Sequence, residues 1–325
     1  MKDQYGRTID YMRISITDRC NLQCRYCMPH KIPYLPKEHL LTYEEIQFIC
    51  QIAADIGITK LKITGGEPLV RSGCPQLIGK LKTIPEITQV TMTTNGINLE
   101  QHLHELKENG LDAVNISLDT LNPQVYQQIT GKDQLPKVQN AIIQSIKAGL
   151  PVKLNTVLQT GINENEWPQL IKLTQQYPID IRFIEMMPIG YGKQYSPVSN
   201  TQLLQQIQAM YPELQKEQSI HGNGPAVYYK IPEAKGSIGF ISAIHGKFCQ
   251  TCNRLRLSAH GSLKPCLCYE DQVDLIEPLR TCKGKQREYQ IKEKILQAIN
   301  QKPKEHHFTQ SAQITETKPM VQIGG

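Results

Sequence analysis

Six short strand-like segments, each followed by a helix-like segment, restrict the fold of this chain more than any other feature. In the first expected helix, Thr42 and Glu45 form a capping box, and Gly57 favours the left-handed conformation that ends a helix. Repeated strand–helix units connect neighbouring parallel strands by right-handed crossovers, so we predict an α/β protein with a parallel sheet. The segments are residues 13–17, 60–64, 89–93, 113–117, 152–157 and 180–185.

The side chains of these strands alternate between polar and apolar. Arg13, Lys62, Lys153 and Arg182 lie on the polar face. A doubly wound sheet has helices on both sides, and its strands are apolar on both faces. The alternation therefore favours a partial (β/α)6 barrel of the TIM type, with a basic interior that would bind a polyanion. The alternative is a sheet with one solvated face, which is typical of antiparallel strands.

Composition adds a few further limits. The chain has 325 residues, enough for one large α/β barrel or two ordinary domains. No apolar run approaches the length of a membrane span, and the first residues lack the apolar stretch of a signal peptide. We therefore expect a cytoplasmic protein without a membrane partner. The formal charge of +6 mildly favours an anionic ligand.

The strand–helix repetition ends at about residue 195. One helix is expected at 201–210 and a charged surface helix at 283–302. The tail from residue 303 onward, which ends in Gly324 and Gly325, is expected to be loosely ordered. We divide the chain into a barrel at 4–215 and a C-terminal region at 216–325.

Ten cysteines in a chain without an export signal indicate a reducing compartment, where clustered thiols are more often metal ligands than disulfides. Three of them follow the first strand in the pattern C-x3-C-x2-C, at the end of the strand where barrel active sites form. Three thiolates can hold a four-iron cluster and leave its fourth iron open to an outside ligand. A zinc knuckle completed by His30 is the alternative. The three residues are Cys20, Cys24 and Cys27.

A second group of three cysteines lies near the C-terminus, and two kinds of site fit it. A zinc ribbon would take Cys268 as its fourth ligand and would be purely structural. A second iron–sulfur cluster would leave one iron open, and Arg254 and Arg256 would face that opening. The three cysteines are Cys249, Cys252 and Cys266.

The spacing of the first group resembles that of the radical S-adenosylmethionine superfamily. One strand–helix unit later comes ITGGEP, where two glycines expose backbone groups and a glutamate can accept hydrogen bonds from an ammonium group. The resemblance implies that this segment holds the methionine part of S-adenosylmethionine, and that other residues contact its ribose and adenine. The implied cofactor-binding residues are Tyr26, Gly65, Gly66, Glu67, Ser117 and Met187.

A longer set of motifs resembles the GTP 3′,8-cyclase family. These motifs are RISITDRCNLQCRYCMP, KITGGEPL, TTNG, NISLDT, IRFIEMMPIG and CNRLRLSAHGSLKPCL, with a terminal Gly-Gly. The resemblance implies a partial (β/α)6 barrel, S-adenosylmethionine and two [4Fe-4S] clusters, of which the second binds the guanine of GTP. The implied enzyme is a lyase that carries out the first step of molybdenum cofactor biosynthesis.

The same resemblance implies which residues contact the nucleotide. One departure is Lys62, where arginine is expected, because lysine keeps the charge but lacks the bidentate fork for phosphate. Cys268, an additional thiol, is a second departure. The implied substrate-binding residues are Arg13, Lys62, Thr93, Lys153, Arg254, Leu255 and Arg256, and the catalytic residues among them are Arg13, Arg254 and Arg256.

The implied reaction begins with reductive cleavage of S-adenosylmethionine to a 5′-deoxyadenosyl radical. This radical takes hydrogen from C3′ of GTP, and the resulting carbon radical adds to C8. One electron from the reductant and a proton then complete 3′,8-cyclo-7,8-dihydro-GTP. The implied partners are a reductant such as flavodoxin or ferredoxin, a downstream cyclic pyranopterin monophosphate synthase and a second copy of the chain. In this family the Gly-Gly tail is thought to reach the active site.

Two rival functions follow from the same residues. A peptide-modifying radical enzyme also carries C-terminal cysteines, but usually has more of them and often an added peptide-recognition domain. A zinc-stabilised module that binds nucleic acid is compatible with the modest positive charge. Iron analysis separates the module from the enzyme, because two clusters require roughly eight irons per chain.

Overall fold

The computed structural model describes residues 1–29, 34–219 and 221–323. In this part of the chain the strands form one 12-stranded sheet. The strands are β1 (Tyr11–Ser15), β2 (Lys60–Thr64), β3 (Gln89–Thr94), β4 (Ala113–Ser117), β5 (Val152–Thr156), β6 (Ile179–Ile184), β7 (Gln215–Lys216), β8 (Val227–Lys230), β9 (Ile238–Ile241), β10 (Arg254–Leu257), β11 (Ser262–Lys264) and β12 (Val273–Asp274).

The helices alternate with the first six strands, as the sequence predicts. The first helix begins at the predicted capping box of Thr42 and Glu45 and ends at Gly57, which has φ of 109°. The helices are α1 (Tyr43–Ile56), α2 (Cys74–Lys82), α3 (Leu99–Glu108), α4 (Pro123–Thr130), α5 (Leu135–Lys147), α6 (Trp167–Gln176), α7 (Asn200–Met210), α8 (Ile276–Thr281), α9 (Gly284–Asn300) and α10 (Met320–Ile323).

Strands β1 to β6 are parallel and lie in sequence order, which confirms the predicted α/β class and the six-unit barrel. The predicted bounds differ from the observed ones by at most two residues. Ile14, Ile63 and Met92 are fully buried in the core between sheet and helices. The opposite face carries Arg13 beside Lys62, and Asn115 beside Lys153, as the alternation predicts.

The C-terminal region adds a parallel strand to each edge of this barrel. Strand β10 pairs with β1, and β9 pairs with β6, both in the parallel sense. The remaining strands continue the sheet antiparallel, with β11 and β12 beyond β10, and β8 and β7 beyond β9. The C-terminal extension, whose place in the sheet the sequence does not reveal, therefore contributes residues to the wall of the polar interior, among them Arg254 and Tyr228.

The prediction of a loosely ordered tail from residue 303 onward is wrong for the part that the structure describes. Phe308, Ile314 and Ile323 are buried in a second apolar cluster. Glu316 is fully buried and forms an ion pair of 2.5 Å with the buried Lys264 of β11. Gly324 and Gly325 lie outside the described residues. None of the described helices is long and apolar enough to span a membrane.

Candidate active site

The first cysteine group lies on the loop that leaves β1. The loop is held by backbone bonds from Cys27 N to Cys24 O and from Met28 N to Cys24 O, at 2.9 and 2.8 Å. Cys20 Sγ accepts a hydrogen bond from Leu22 N at 3.4 Å. The alternative zinc ligand His30 lies outside the described residues. All three thiols are free and partly buried, so they can act as ligands.

The chemistry of these thiols fits an iron–sulfur cluster. Burial raises the pKa of Cys20 to about 11 and that of Cys27 to about 12. Burial, and then the charges of Cys27 and Cys20, raise the pKa of Cys24 well above its usual range. Three buried thiolates side by side therefore need a compensating positive charge, which bound iron supplies.

The GGEP loop after β2 packs directly against this cysteine loop. Gly66 N donates to Thr17 O at 2.7 Å, and Glu67 N donates to Arg19 O at 2.8 Å. A Cβ on Gly65 would lie 2.6 Å from Thr17 O, and one on Gly66 would lie 2.3 Å from Arg19 O. Only glycine allows this approach, so the two loops form one unit.

The Glu67 carboxylate is already used by the protein. Its oxygens accept hydrogen bonds from Thr94 Oγ1 and Asn95 N, both at 2.7 Å, and from Leu69 N at 3.1 Å. A carboxylate has about four acceptor positions, so roughly one remains for a ligand. Burial raises the pKa of Glu67 to about 7. The carboxylate thus ties the GGEP loop to the end of β3, and its contact with an ammonium group stays a prediction.

The other three predicted cofactor contacts lie at the same end of the sheet. Ser117 is the last residue of β4, and Met187 follows β6. Tyr26 Oη donates to Asp119 Oδ2 at 2.8 Å, which fixes the cysteine loop against the end of β4. Burial raises the pKa of Asp119 to about 6. Asp119 is a site residue that the sequence analysis missed, although NISLDT contains it.

A polar cavity of about 300 Å³ occupies the barrel interior. Its wall contains Arg13, Lys62, Lys153 and Arg182, the basic residues that the alternation predicts, and also Arg254. Arg182 Nη2 donates to Asn155 Oδ1 at 2.6 Å. The buried Nε atoms of Arg182 and Arg254 have no hydrogen-bond partner in the part of the chain that the structure describes. The wall therefore offers donors to an anionic ligand.

The charges of this wall repel one another. Burial lowers the pKa of Lys62 well below its usual range, and the nearby positive charges of Arg182, Arg13 and other basic residues lower it further. Burial also lowers the pKa of Arg256 to about 9, with the charges of Arg13 and Arg254 acting in the same direction. A polyanion in the cavity would offset this repulsion, because opposite charges favour the protonated forms.

Lys153 is already paired on one side of the cavity. Its Nζ lies 3.0 Å from Asp180 Oδ2 and also donates to His221 O. His221 Nδ1 lies 2.9 Å from the same Asp180 oxygen, and its ring stacks on Tyr228 at 4.1 Å. Asp180 shares the polar face with Arg182, so the alternation could have identified it. The loop that contains His221 had no such signal.

The second cysteine group lies at the opposite end of the sheet from the first. Cys252 precedes β10, which runs parallel to β1, whereas Cys20 follows β1. Cys266 follows β11, which is antiparallel to β10, so both ligand segments meet at one end. Strand β1 has five residues, a length of about 16 Å. The polar cavity therefore lies between the two cysteine groups.

The second group has a basic environment. Burial alone would raise the pKa of Cys252, but the positive charges of Lys302 and Arg254, together with hydrogen bonds, lower it to about 6. Cys249 Sγ accepts a hydrogen bond from His306 N at 3.4 Å. Burial raises the pKa of Cys266. These thiols also fit a metal-bound cluster, and Lys302 is a neighbour that the sequence analysis did not identify.

The predicted nucleotide contacts from β10 differ in orientation. Arg256 lies beside Arg13 in the sheet register, and Arg254 lines the cavity. The side chain of Leu255 is fully buried in the core, so any contact that this residue makes with a nucleotide involves its backbone. Thr93 lies beside Asn115 in the register, on the polar face.

Cys268 lies in the second apolar cluster with Phe308 and Ile314 and is fully buried. Among the residues that the structure describes, no group of three or more His, Cys, Asp or Glu side chains is arranged to hold a single metal ion. In a four-iron cluster, by contrast, each thiolate binds a different iron.

Comparison with known proteins decides the family. The Radical SAM superfamily profile matches residues 14–174, and the Molybdenum Cofactor Synthesis C profile matches residues 179–308. A GTP 3′,8-cyclase of Clostridium perfringens is 42% identical over 327 residues, and one of Petrotoga mobilis is 43% identical over 333 residues. Both alignments cover 100% of each chain. The chain belongs to the GTP 3′,8-cyclase family.

Solved structures show the same fold at much lower identity. Streptococcus suis SuiB bound to S-adenosylmethionine is 13% identical, with a TM-score of 0.67 over 97% of this chain and 78% of that one. SuiB bound to its precursor peptide SuiA is 12% identical, with a TM-score of 0.66 over 98% and 77%. These matches support the barrel fold of this GTP 3′,8-cyclase family member. The GTP 3′,8-cyclase family belongs to the radical S-adenosylmethionine superfamily, and its members use iron–sulfur clusters and S-adenosylmethionine.

Proposed function

We propose that the protein converts GTP to 3′,8-cyclo-7,8-dihydro-GTP, the first step of molybdenum cofactor biosynthesis. The observation that carries this proposal is the basic cavity between two groups of three cysteines, in a chain that matches GTP 3′,8-cyclases over its full length. A nucleoside triphosphate carries several negative charges, which the basic side chains of the cavity can bind. Its purine can reach one cysteine group while its ribose faces the other.

The protein's own part in this reaction is to bind and orient. When bound and reduced, the first cluster supplies the electron that cleaves S-adenosylmethionine. We assign the first cluster to the loop after β1 and the second to the group beside β10. The GGEP loop, Tyr26, Ser117 and Met187 would hold S-adenosylmethionine above the cavity. Holding the ribose near the radical and away from water lowers the barrier through proximity.

The basic wall would hold the triphosphate. Arg13 and Lys62 are register neighbours on β1 and β2, and Arg182 of β6 lines the same cavity. Lysine at position 62 gives a single compact charge, whereas the arginines can bind phosphate through two donors. Arg254 and Arg256 lie next to the second cysteine group, so they would contact the purine end of GTP and keep it close to the open iron.

The test of this function is anaerobic reconstitution with iron and sulfide, followed by incubation with reductant, GTP and S-adenosylmethionine. We expect roughly eight irons per chain. We also expect a nucleotide that chromatography separates from GTP, identified by mass analysis and formed with an equal amount of 5′-deoxyadenosine. Stoichiometric zinc without iron would contradict the proposal, as would deoxyadenosine formation that never yields a new nucleotide.

The peptide-modifying alternative rests on the C-terminal cysteines and on similarity of fold. The precursor-peptide complex shares 12% identity with this chain, which carries no substrate information, whereas the cyclases share 42% to 43% over full length. Incubation with GTP alone as substrate separates the two functions. We further propose that the protein is cytoplasmic, receives electrons from a flavodoxin or ferredoxin, supplies its product to a pyranopterin synthase and forms a homodimer.

Lys153→Ala is expected to weaken GTP binding by about 10-fold to 100-fold, because a charge-assisted contact with phosphate is lost. The variant also leaves Asp180 without its cation, which adds repulsion. Equilibrium binding of radiolabelled GTP to the reconstituted protein measures the change. Uncoupled cleavage of S-adenosylmethionine should remain largely intact.

Two controls accompany this variant. Lys147→Ala removes an exposed lysine from the end of α5 and should leave GTP affinity unchanged. Asp180→Asn removes the group that competes with phosphate for Lys153, so GTP affinity should stay the same or rise. An unchanged dissociation constant in Lys153→Ala would exclude this lysine from the triphosphate site.

A further inference from the structure

The two cysteine groups lie in surroundings of opposite charge. Glu67 lies in the GGEP loop that packs on the first cysteine loop, and Asp119 accepts a hydrogen bond from Tyr26 of that loop. At the second group, Arg254 lies two residues after Cys252, and the ammonium group of Lys302 donates to the Arg254 carbonyl oxygen. Positive charge near an iron–sulfur cluster favours its reduced form, and negative charge favours its oxidised form.

Lys302 is the basic residue that joins the two ligand segments of the second group. Its Nζ donates to Arg254 O at 2.8 Å and to Pro265 O at 2.7 Å. Arg254 lies two residues after Cys252, and Pro265 directly precedes Cys266. One ammonium group therefore connects the start of β10 to the end of β11, next to a cysteine on each side.

The position of Lys302 is fixed by contacts of its side chain and of its backbone. Lys302 is only 3% exposed. It follows the C-terminal end of α9, and its backbone oxygen accepts a hydrogen bond from Arg7 Nη2 at 3.4 Å. Arg7 also donates to Cys249 O at 3.0 Å, and its own charge is paired with Asp3 at 2.6 Å. The two carbonyl acceptors of Lys302 are neutral and do not cancel its charge, and its other hydrogen-bond partner is the ligand cysteine Cys252 itself.

We propose that Lys302 is a positioning residue of the second cluster, which holds the Cys252 and Cys266 segments together and raises the reduction potential of that cluster. This inference rests on the proposed function, which places an iron–sulfur cluster at these cysteines. An ammonium group at such close range stabilises the additional negative charge of the reduced cluster. The side chain also resists separation of the two ligand-bearing strands.

The test isolates the second cluster. In full-length protein carrying Cys20→Ala, Cys24→Ala and Cys27→Ala, only the second group can bind a cluster after anaerobic reconstitution. This background should bind about four irons per chain. Its reduction potential is then measured by EPR during a redox titration, with and without Lys302→Met. A background that binds no iron would contradict the proposed function rather than the role of Lys302.

Lys302→Met is expected to lower the potential by at least the equivalent of a tenfold change in the reduction equilibrium, about 59 mV for one electron. Lys302→Arg keeps the charge and should stay close to the background. Lys304→Met removes an equal charge from an exposed position two residues away and should change little. An unchanged potential in Lys302→Met, or an equal shift in Lys304→Met, would overturn the proposal.

Iron content provides the second readout. If Lys302→Met does not retain the cluster, the proposal requires that Lys302→Arg retains about four irons while Lys302→Met binds fewer. Equal loss of iron in both variants would show either that the arginine side chain cannot replace the shape of lysine or that the site does not fold. In either case the proposed role of the Lys302 charge would be wrong. Circular dichroism of each variant reports whether the barrel itself is intact.

Discussion

Replacing Cys24 with alanine is expected to reduce formation of 5′-deoxyadenosine to the background level. Two thiols cannot hold the four-iron cluster at the end of β1, so the electron donor to S-adenosylmethionine is lost. Anaerobic assays with dithionite and S-adenosylmethionine, followed by chromatography, measure this directly. The iron content should fall from roughly eight to roughly four per chain, because the second group is untouched.

The retained irons distinguish this result from general misfolding. Cys282→Ala is the matched control, since it removes a partly exposed thiol at the end of α8, outside both cysteine groups. That variant should keep full iron content and full cleavage activity. Deoxyadenosine formation at the wild-type rate in Cys24→Ala would remove the first cysteine group from the mechanism.

The barrel and its polar interior could be predicted because both are encoded locally. In a strand, side chains point alternately to the two faces, so Arg13 and Lys62 had to share one face once β1 and β2 were parallel neighbours. The capping box at Thr42 and the glycine at position 57 fixed the bounds of α1 in the same local manner. Such signals require no knowledge of the rest of the chain.

The edges of the sheet could not be predicted, because tertiary contacts define them. Strands β9 and β10 have four residues each and are not followed by long helices. Their sequences contain too few positions to reveal a period, and their partners β6 and β1 lie far away in the chain. Lys302 was missed for a related reason, since a lysine in a charged segment normally indicates a solvated surface.

Glu67 shows a different limit of prediction from sequence, which concerns the hydrogen-bond partners of a side chain. The sequence predicts that Glu67 contacts a ligand, which stays a prediction, and the structure shows the GGEP loop packed on the first cysteine loop. Its oxygens nevertheless bind Thr94 and Asn95, which follow from the arrangement of β2 and β3. The residue type suggested a ligand contact, whereas the protein groups that Glu67 binds could not be predicted, because they depend on the packing of two strands.

The prediction of a loosely ordered C-terminal tail was wrong because the buried apolar residues of the tail do not recur at a regular spacing. Phe308, Ile314 and Ile323 are spaced by six and nine residues, which matches neither a helix nor a strand. The tail also reaches the first cysteine group, where Val321 N donates to Cys27. The polar anchor of this path is the ion pair between Glu316 and Lys264.

Glu316→Ala is therefore expected to destabilise the protein by about 3–5 kcal/mol, since it leaves the buried ammonium group of Lys264 without its counter-ion. Both side chains are almost completely buried, with exposures of 2% for Lys264 and 0% for Glu316. Urea unfolding of the cluster-free protein, followed by circular dichroism, measures the loss. The tail should also become sensitive to limited proteolysis near residue 316.

The double variant Lys264→Met and Glu316→Met separates the ion pair from simple packing. Removing both charges avoids the unpaired buried cation, so the loss of stability should be much smaller than in Glu316→Ala. Glu270→Ala removes an exposed carboxylate from the segment whose backbone oxygens also bind Lys264, and it should have little effect. If Glu316→Ala unfolds at the wild-type urea concentration, the ion pair does not hold the tail. The approach of Val321 to Cys27 must then depend on the apolar contacts of Phe308 and Ile323 alone.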